Sequence, residues 1–184
     1  VYSGFYKSVK DYIQPVIKNM VSSKNFLSTL NIDPKEKEAV IIGIIYFFIH
    51  LMGSYFSKKS GYIFKKNSIK VLNSLLLAGA FFAVLTGLSV YYKIYYLSIV
   101  MFIILFIIEN MRKPLGLAYF GDKIDDSVYA TGLSVESQLQ TAFTALTALS
   151  MGLLADRIGI GPSIIINSSI LVIVAILSRI YIKD

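Results

Sequence analysis

Three polar side chains recur at intervals of four residues in the last third of the chain: Glu136, Gln140 and Thr144. On an α-helix this spacing places all three on one face. A carboxylate, an amide and a hydroxyl along one face of an otherwise apolar helix can bind a polar solute or relay protons. The structural alternative puts Glu136 in the first turn of the helix, where the helix dipole and a Ser134 cap stabilise a carboxylate.

The opposite face of the same helix carries small side chains, and we expect it to pack against a neighbouring helix. Its members are Thr141, Ala145, Ala148 and Gly152. The sequence therefore predicts a lining face and a packing face on one helix.

A second polar face occurs near the N-terminus, within residues 1–20. It comprises Lys7, Lys10, Asp11, Gln14 and Lys18, and the apolar face opposite comprises Tyr2, Phe5, Tyr6, Val9, Ile13, Val16 and Ile17. At membrane depth Lys7, Lys10, Asp11 and Gln14 can bind a solute or relay protons. On a solvated surface they amount to a weak ion pair worth about 0.2–0.5 kcal/mol. Both interpretations are open.

The chain lacks the residues that most catalytic and metal sites need. It has no cysteine, which excludes disulfides, thiolate chemistry and cysteine-based metal sites. Its one histidine, His50, has no acidic residue close to it in sequence. Because no nucleophile–base pair or carboxylate cluster lies within an apolar run, we expect neither an enzyme nor a cofactor or metal site.

Long apolar runs must position these polar groups. The chain of 184 residues is 55% hydrophobic and 16% charged, and crossing a bilayer takes about 20 mostly apolar residues. The predicted spans are 39–56, 71–92, 94–111, 133–155 and 162–182. The sequence therefore predicts an all-α integral membrane protein: a single bundle, residues 1–184, of five complete transmembrane helices in a lipid bilayer. Residues 1–20 form either the end of a truncated transmembrane helix or an amphipathic helix at the interface.

The net charge of +7 is distributed in short segments between apolar runs, which indicates membrane topology rather than nucleic-acid binding. Residues 58–70 contain five lysines and no acid, so we expect them in the cytoplasm. Alternation from there places Arg112 and the C-terminus inside, and Asp156 with Arg157 outside. The predicted location is the cell (inner) membrane.

The segment Gly152-Leu-Leu-Ala-Asp156-Arg157-Ile-Gly159 resembles the G-x-x-x-D-R-x-G signature of major facilitator superfamily transporters. Arg112-Lys-Pro and residues 129–134 are similar to the loop and helix start that precede the last two helices of that family. The resemblance implies the C-terminal six-helix bundle of a twelve-helix transporter. It also implies a gating or structural role for Arg112, Gly152, Asp156, Arg157 and Gly159.

One departure from the family concerns the residues after Gly159. The signature normally continues with basic residues and faces the cytoplasm, whereas here Ile160, Gly161 and Pro162 follow. This suits the outer location predicted above for the turn and puts a cytoplasmic gating role in doubt.

The expected function is transport of a small solute by alternating access, with a missing N-terminal half as partner. Because the span 94–111 offers few polar groups, a lipophilic or aromatic solute fits best. The alternatives are a non-transporting membrane scaffold and, less favoured, a membrane-embedded enzyme.

Overall fold

Helices make up nearly all of the computed structural model, which describes residues 2–23 and 33–177. In chain order they are α1 (Tyr2–Val9), α2 (Ile13–Ser23), α3 (Pro34–Tyr91), α4 (Tyr95–Gly121), α5 (Asp126–Ile158) and α6 (Ile160–Leu177), with one 3₁₀ turn, Lys10–Tyr12, between α1 and α2. The described residues contain no strand. This confirms the all-α prediction.

Four helical segments within the described residues are long and apolar enough to cross a membrane. They are Lys35–Gly61 and Ile69–Tyr91, both in α3, Tyr95–Gly121 in α4 and Ile160–Leu177 in α6. Large apolar side chains such as Phe47, Phe81 and Ile173 are exposed on these segments. Extended apolar surface of this kind is typical of lipid contact. The four apolar segments therefore indicate a membrane protein.

The fifth expected span, 133–155, lies within α5. This helix has 33 residues, which is long enough, but α5 is not among the four apolar segments. Its Glu136, Gln140 and threonine hydroxyls lower its apolar content. The count of five transmembrane helices stays a prediction.

The N-terminal segment lies inside the bundle. Its buried apolar side chains, none more than 3% exposed, are Tyr2, Phe5, Val9, Ile13, Val16, Ile17 and Met20. The predicted polar face is exposed at Lys7, Asp11, Gln14 and Lys18. Pro15 lacks a backbone N–H and its ring crowds the preceding turn, which accounts for the 3₁₀ turn just before it. Burial of the apolar face against other helices favours a packed bundle helix over one lying at the membrane interface.

Helix α3 covers two predicted spans and the basic segment between them. The sequence predicted a loop over residues 58–70, but the structure keeps helical backbone through this region. Both halves of α3 nevertheless lie near the same part of α4. A Cβ added at Gly53 would lie 2.9 Å from Asn110 Nδ2, while Gly79 packs on Tyr2, whose ring lies under Arg112. A straight helix would hold Gly53 and Gly79 about 39 Å apart, so α3 is sharply bent between them.

Helix α4 pairs with α3 through a short turn, as the adjacent predicted spans 71–92 and 94–111 imply. Lys93 occupies the turn with a positive φ of 58°. At its other end α4 continues to Gly121, about ten residues beyond the predicted end at residue 111. Arg112 and Lys113 therefore lie on a helix and not in the expected loop, because helical hydrogen bonding continues past Pro114.

Helices α3 and α6 approach closely where both carry glycine. A Cβ on Gly87 would lie 2.8 Å from the backbone nitrogen of Ile165, and one on Gly161 would lie 2.7 Å from the Tyr91 Cα. Scattered polar residues of these helices point inward: Asn167 Oδ1 accepts a 3.0 Å hydrogen bond from Ser150 of α5. These contacts fix α6 against both α3 and α5.

Candidate functional site

Helices α1 and α5 meet across small residues. A Cβ at Gly4 would lie 3.0 Å from both the Phe143 Cβ and the Thr144 backbone nitrogen. The Ser8 hydroxyl donates to the Thr144 carbonyl at 3.1 Å and lies 2.8 Å from Thr147 Oγ1. Small side chains and interhelical hydrogen bonds are how helices associate in lipid. This contact sets the distance between the two faces that carry the predicted polar residues.

A cavity of about 420 Å³ lies beside this contact, between α1, α4 and α5. Its polar lining consists of Ser3, Lys7, Arg112, Lys113, Glu136, Ser137 and Gln140. Its apolar lining includes Leu117, Phe120 and Leu133. The volume is within the range of small-molecule pockets. We call this space the main cavity. Four predicted site residues that are distant in sequence, Lys7, Arg112, Glu136 and Gln140, meet there.

Arg112 is held by the N-terminal helix. Its guanidinium carbon lies 5.2 Å from the centre of the Tyr2 ring, which is a cation–π contact. Arg112 also lines a neighbouring cavity of about 220 Å³ toward α3 and α6. The guanidinium therefore stands between two spaces, on an aromatic ring that is itself fully buried.

A buried carboxylate lies one helical turn before Arg112. Glu109 is only 6% exposed and lies near the Ser3 side chain and within electrostatic reach of Arg112 and Lys113. Within the described part of the chain, Tyr2 Oη, Glu109 Oε2 and Arg112 Nε are buried without a hydrogen-bond partner. Buried polar atoms are normally paired, and each such group needs an explanation. Their concentration here marks a candidate functional site.

A second cavity of about 340 Å³ lies on the other side of Lys7. It is lined by Lys7, Ser8, Asp11, Tyr12, Pro15, Thr144 and Ala148. The structure thus brings together Asp11 and Thr144, two candidates that the sequence identified separately, with Lys7 bordering both cavities. Partial burial, together with the Asp156 carboxylate, raises the pKa of the Tyr12 phenol.

Two other predicted residues do not line these cavities. Lys10 Nζ lies 4.0 Å from Asp11 Oδ1, and the side chains are 44% and 76% exposed. An exposed pair of this kind contributes little to stability. Gln14 donates a 3.5 Å hydrogen bond to the Tyr46 hydroxyl and so joins α2 to α3.

The signature residues lie at the far end of α5. Asp156 and Arg157 are exposed, and a Cβ added at Gly152 would contact nothing within 4 Å. Gly159 has a φ of 95°, which ends α5 and lets α6 begin at the next residue. The 20 residues from Glu136 to Asp156 correspond to about 30 Å of helix. The structure therefore separates the signature from the main cavity.

Two expectations for α5 are wrong. The helix begins at Asp126, so Glu136 lies almost three turns inside it, and the cap interpretation fails. The predicted packing face is also wrong, although Glu136 and Gln140 line the main cavity and Thr144 lines the second cavity. Thr144 and Thr147 contact α1, whereas Thr141, Ala145 and Ala148 are exposed. The reason is that the hydroxyl face gains hydrogen bonds from Ser8, which a face of alanines does not offer.

Two residues of this site, Tyr2 and Ser3, were not among the predicted polar candidates, and Tyr2 was counted only as apolar. Glu109 and Arg112 end the third apolar run, and the sequence alone leaves two interpretations open for them: an anchor at the membrane interface or a cytoplasmic gate pair. The signal that was available is the helical continuation past Glu109, in which Arg112 follows one turn later. Pairing across elements, from Ser3 to Glu109, needed the fold.

No family model, curated protein or solved structure matches this chain.

Proposed function

We propose that this chain is the C-terminal half of a secondary transporter and that the main cavity forms one wall of its solute pathway. The observation that carries the proposal is the meeting of Lys7, Arg112, Glu136 and Gln140, from three helices, around one cavity. Polar residues within an apolar bundle are costly and usually functional. The resemblance of residues 152–159 to the major facilitator signature supports the same conclusion.

The proposal includes a partner that covers the exposed side of α5. Leu139, Leu146 and Leu149 are exposed there beside the polar lining of the main cavity. In alternating access, one half rocks against the other around a site between them. We propose that the N-terminal half of the transporter packs on this side, in the cell membrane, with the C-terminus in the cytoplasm.

Cysteine labelling tests whether the main cavity holds water. The chain contains no cysteine, so Gln140→Cys and Leu149→Cys each introduce a single thiol on α5. Gln140 lines the cavity, whereas Leu149 is 63% exposed on an apolar surface. In membranes, a charged thiol reagent should modify the cysteine at 140 much faster than the one at 149. Equal rates would refute a hydrated pathway.

Transport itself is tested by reconstituting the chain together with its N-terminal half in liposomes. We expect saturable, gradient-driven uptake that Gln140→Ala lowers and that the matched exposed change Lys18→Gln leaves intact. Saturable uptake by the chain alone, as a demonstrated monomer, would overturn the half-transporter proposal, and so would uptake that is insensitive to Gln140→Ala.

A further inference from the structure

We infer that the ligand of the main cavity is a small organic anion, one that carries a carboxylate or phosphate on an apolar body. As a statement about transport, this inference rests on the proposed function. The side chains lining the cavity include three cations, Lys7, Arg112 and Lys113, against a single carboxylate, Glu136. If the buried Glu109 nearby is included, cations still outnumber carboxylates. A cleft lined by a surplus of one sign of charge raises the local concentration of ions of the opposite sign, so the surplus favours an anion.

Arg112 has the geometry for recognising an oxyanion. A guanidinium presents a planar fork of N–H donors that matches carboxylate and phosphate oxygens. The Tyr2 ring, 1% exposed, lies 5.2 Å from its central carbon and restricts its position. The buried Nε of Arg112 has no hydrogen-bond partner within the described protein. A guanidinium whose position is restricted in this way is preorganised for an anionic group.

Lys7 approaches the same space from α1. It is exposed on the polar face of that helix and borders both the main cavity and the second cavity. The close contact at Gly4 keeps α1, and with it the backbone of Lys7, against α5. Two cations on separate helices, Lys7 and Arg112, can therefore hold one anion between them.

The rest of the lining specifies the body of the ligand. Leu117, Phe120 and Leu133 form an apolar wall, and Gln140 and Ser137 supply neutral hydrogen-bonding groups. An inorganic ion alone would leave the apolar wall without a contact. An aromatic or short aliphatic anion satisfies both parts, which retains the lipophilic character expected from the sequence and adds a negative charge. A lipid phosphate carries the same chemistry.

Binding of matched aromatic probes tests the inference. The purified chain in neutral detergent is titrated calorimetrically with phenyl phosphate, benzoate and the neutral benzamide. We expect the two anions to bind at least about tenfold more tightly than benzamide, as charge-assisted hydrogen bonds imply. Lys7→Gln should weaken anion binding about tenfold, while Lys18→Gln, on the same face but outside the cavity, should not. Equal affinity for benzamide, or anion binding unchanged in Lys7→Gln, would overturn the inference.

Arg112→Lys provides a second variant, which keeps the charge but loses the planar fork. If the fork recognises the anion, the affinity for phenyl phosphate falls although helical content and thermal stability remain near those of the parent chain. Unchanged affinity in a folded Arg112→Lys variant would overturn the role of the guanidinium.

A further experiment with lipids distinguishes two sources of the anionic group, a lipid headgroup and a soluble solute. Phenyl phosphate binding is compared in nanodiscs of phosphatidylcholine and of phosphatidylglycerol. Competition by phosphatidylglycerol that disappears in Lys7→Gln identifies a headgroup as the natural anion, and its absence identifies a soluble solute. The result is distinguishable from failure of the proposed function: anion binding without transport refutes only the transporter, and transport of neutral solutes alone refutes only the anion.

Discussion

The contact between α1 and α5 at Gly4 provides the sharpest test of how the site is built. In Gly4→Ala the new Cβ lies 3.0 Å from the Phe143 Cβ and the Thr144 nitrogen. One of these neighbours is backbone, so the helices must separate slightly. Overpacking of this kind costs about 1–3 kcal/mol, and the helix propensity of alanine offsets up to about 1 kcal/mol of it. The expected net loss of stability is about 0–2 kcal/mol.

Gly43→Ala is the matched control, because a Cβ there contacts nothing within 4 Å. This variant gains the propensity term alone, up to about 1 kcal/mol. The two alanine variants should therefore differ by about 1–3 kcal/mol, with Gly4→Ala the less stable. For a chain of this size, a difference of about 2 kcal/mol corresponds to about 4–8 °C in midpoint temperature.

Thermal unfolding in detergent, followed by circular dichroism, measures this difference. The functional consequence is measured in parallel, because moving α1 away from α5 also moves Lys7 at the border of both cavities. We expect Gly4→Ala to change the labelling rate of a cysteine at position 140, and Gly43→Ala to leave that rate unchanged. If the two variants unfold at the same temperature, the close contact does not hold the site together and the reasoning is wrong.

The other predictions concern hydrogen bonding, backbone conformation and topology. Ser8→Ala should lower stability by about 0.6 kcal/mol, the average for an interhelical hydrogen bond in a membrane, and by at most about 1.7 kcal/mol, and a gain measured by chemical unfolding would contradict the Ser8–Thr147 contact. Gly159→Ala places a side chain at a φ of 95° and should cost about 1–3 kcal/mol, with no loss in thermal unfolding as the opposing result. Single cysteines replacing Lys59 and Arg157 should be labelled from opposite sides of the membrane, and labelling of both from one side would exclude the proposed topology.

Composition and periodicity predicted the elements better than their ends. The apolar face of residues 1–20 was identified correctly, because alternation between apolar and charged residues at helical spacing records which side is buried. The junction between α3 and α4 was predicted to within one residue, but the helical continuation through residues 58–70 and the C-terminal end of α4 were not. Polar residues such as those at 58–70 are compatible with a helix as well as with a loop, and only backbone hydrogen bonding distinguishes the two.

The site was predicted in part. Lys7, Glu136 and Gln140 were selected because charged and amide groups stand out in an apolar sequence. Their meeting with Arg112 was not predictable, since that depends on α4 continuing past Pro114 and on the approach of α1 at Gly4. The error in the packing face of α5 has a similar cause. Small residues predict close packing of helices. Here the face with threonine hydroxyls packs on α1 instead of the alanine face, because Thr147 forms a hydrogen bond with Ser8 of that helix.

The single residue between α5 and α6 has a mechanical consequence. Gly159 is the only residue between α5 and α6. Two hydrogen bonds also join these helices: the Ser150 hydroxyl donates to Asn167 Oδ1 at 3.0 Å, and the Ser163 hydroxyl donates to the Met151 carbonyl at 2.9 Å. These constraints favour movement of α5 and α6 together, as one rigid unit joined at Gly159. We therefore expect any tilt of α5 to move α6 along its close contact with α3.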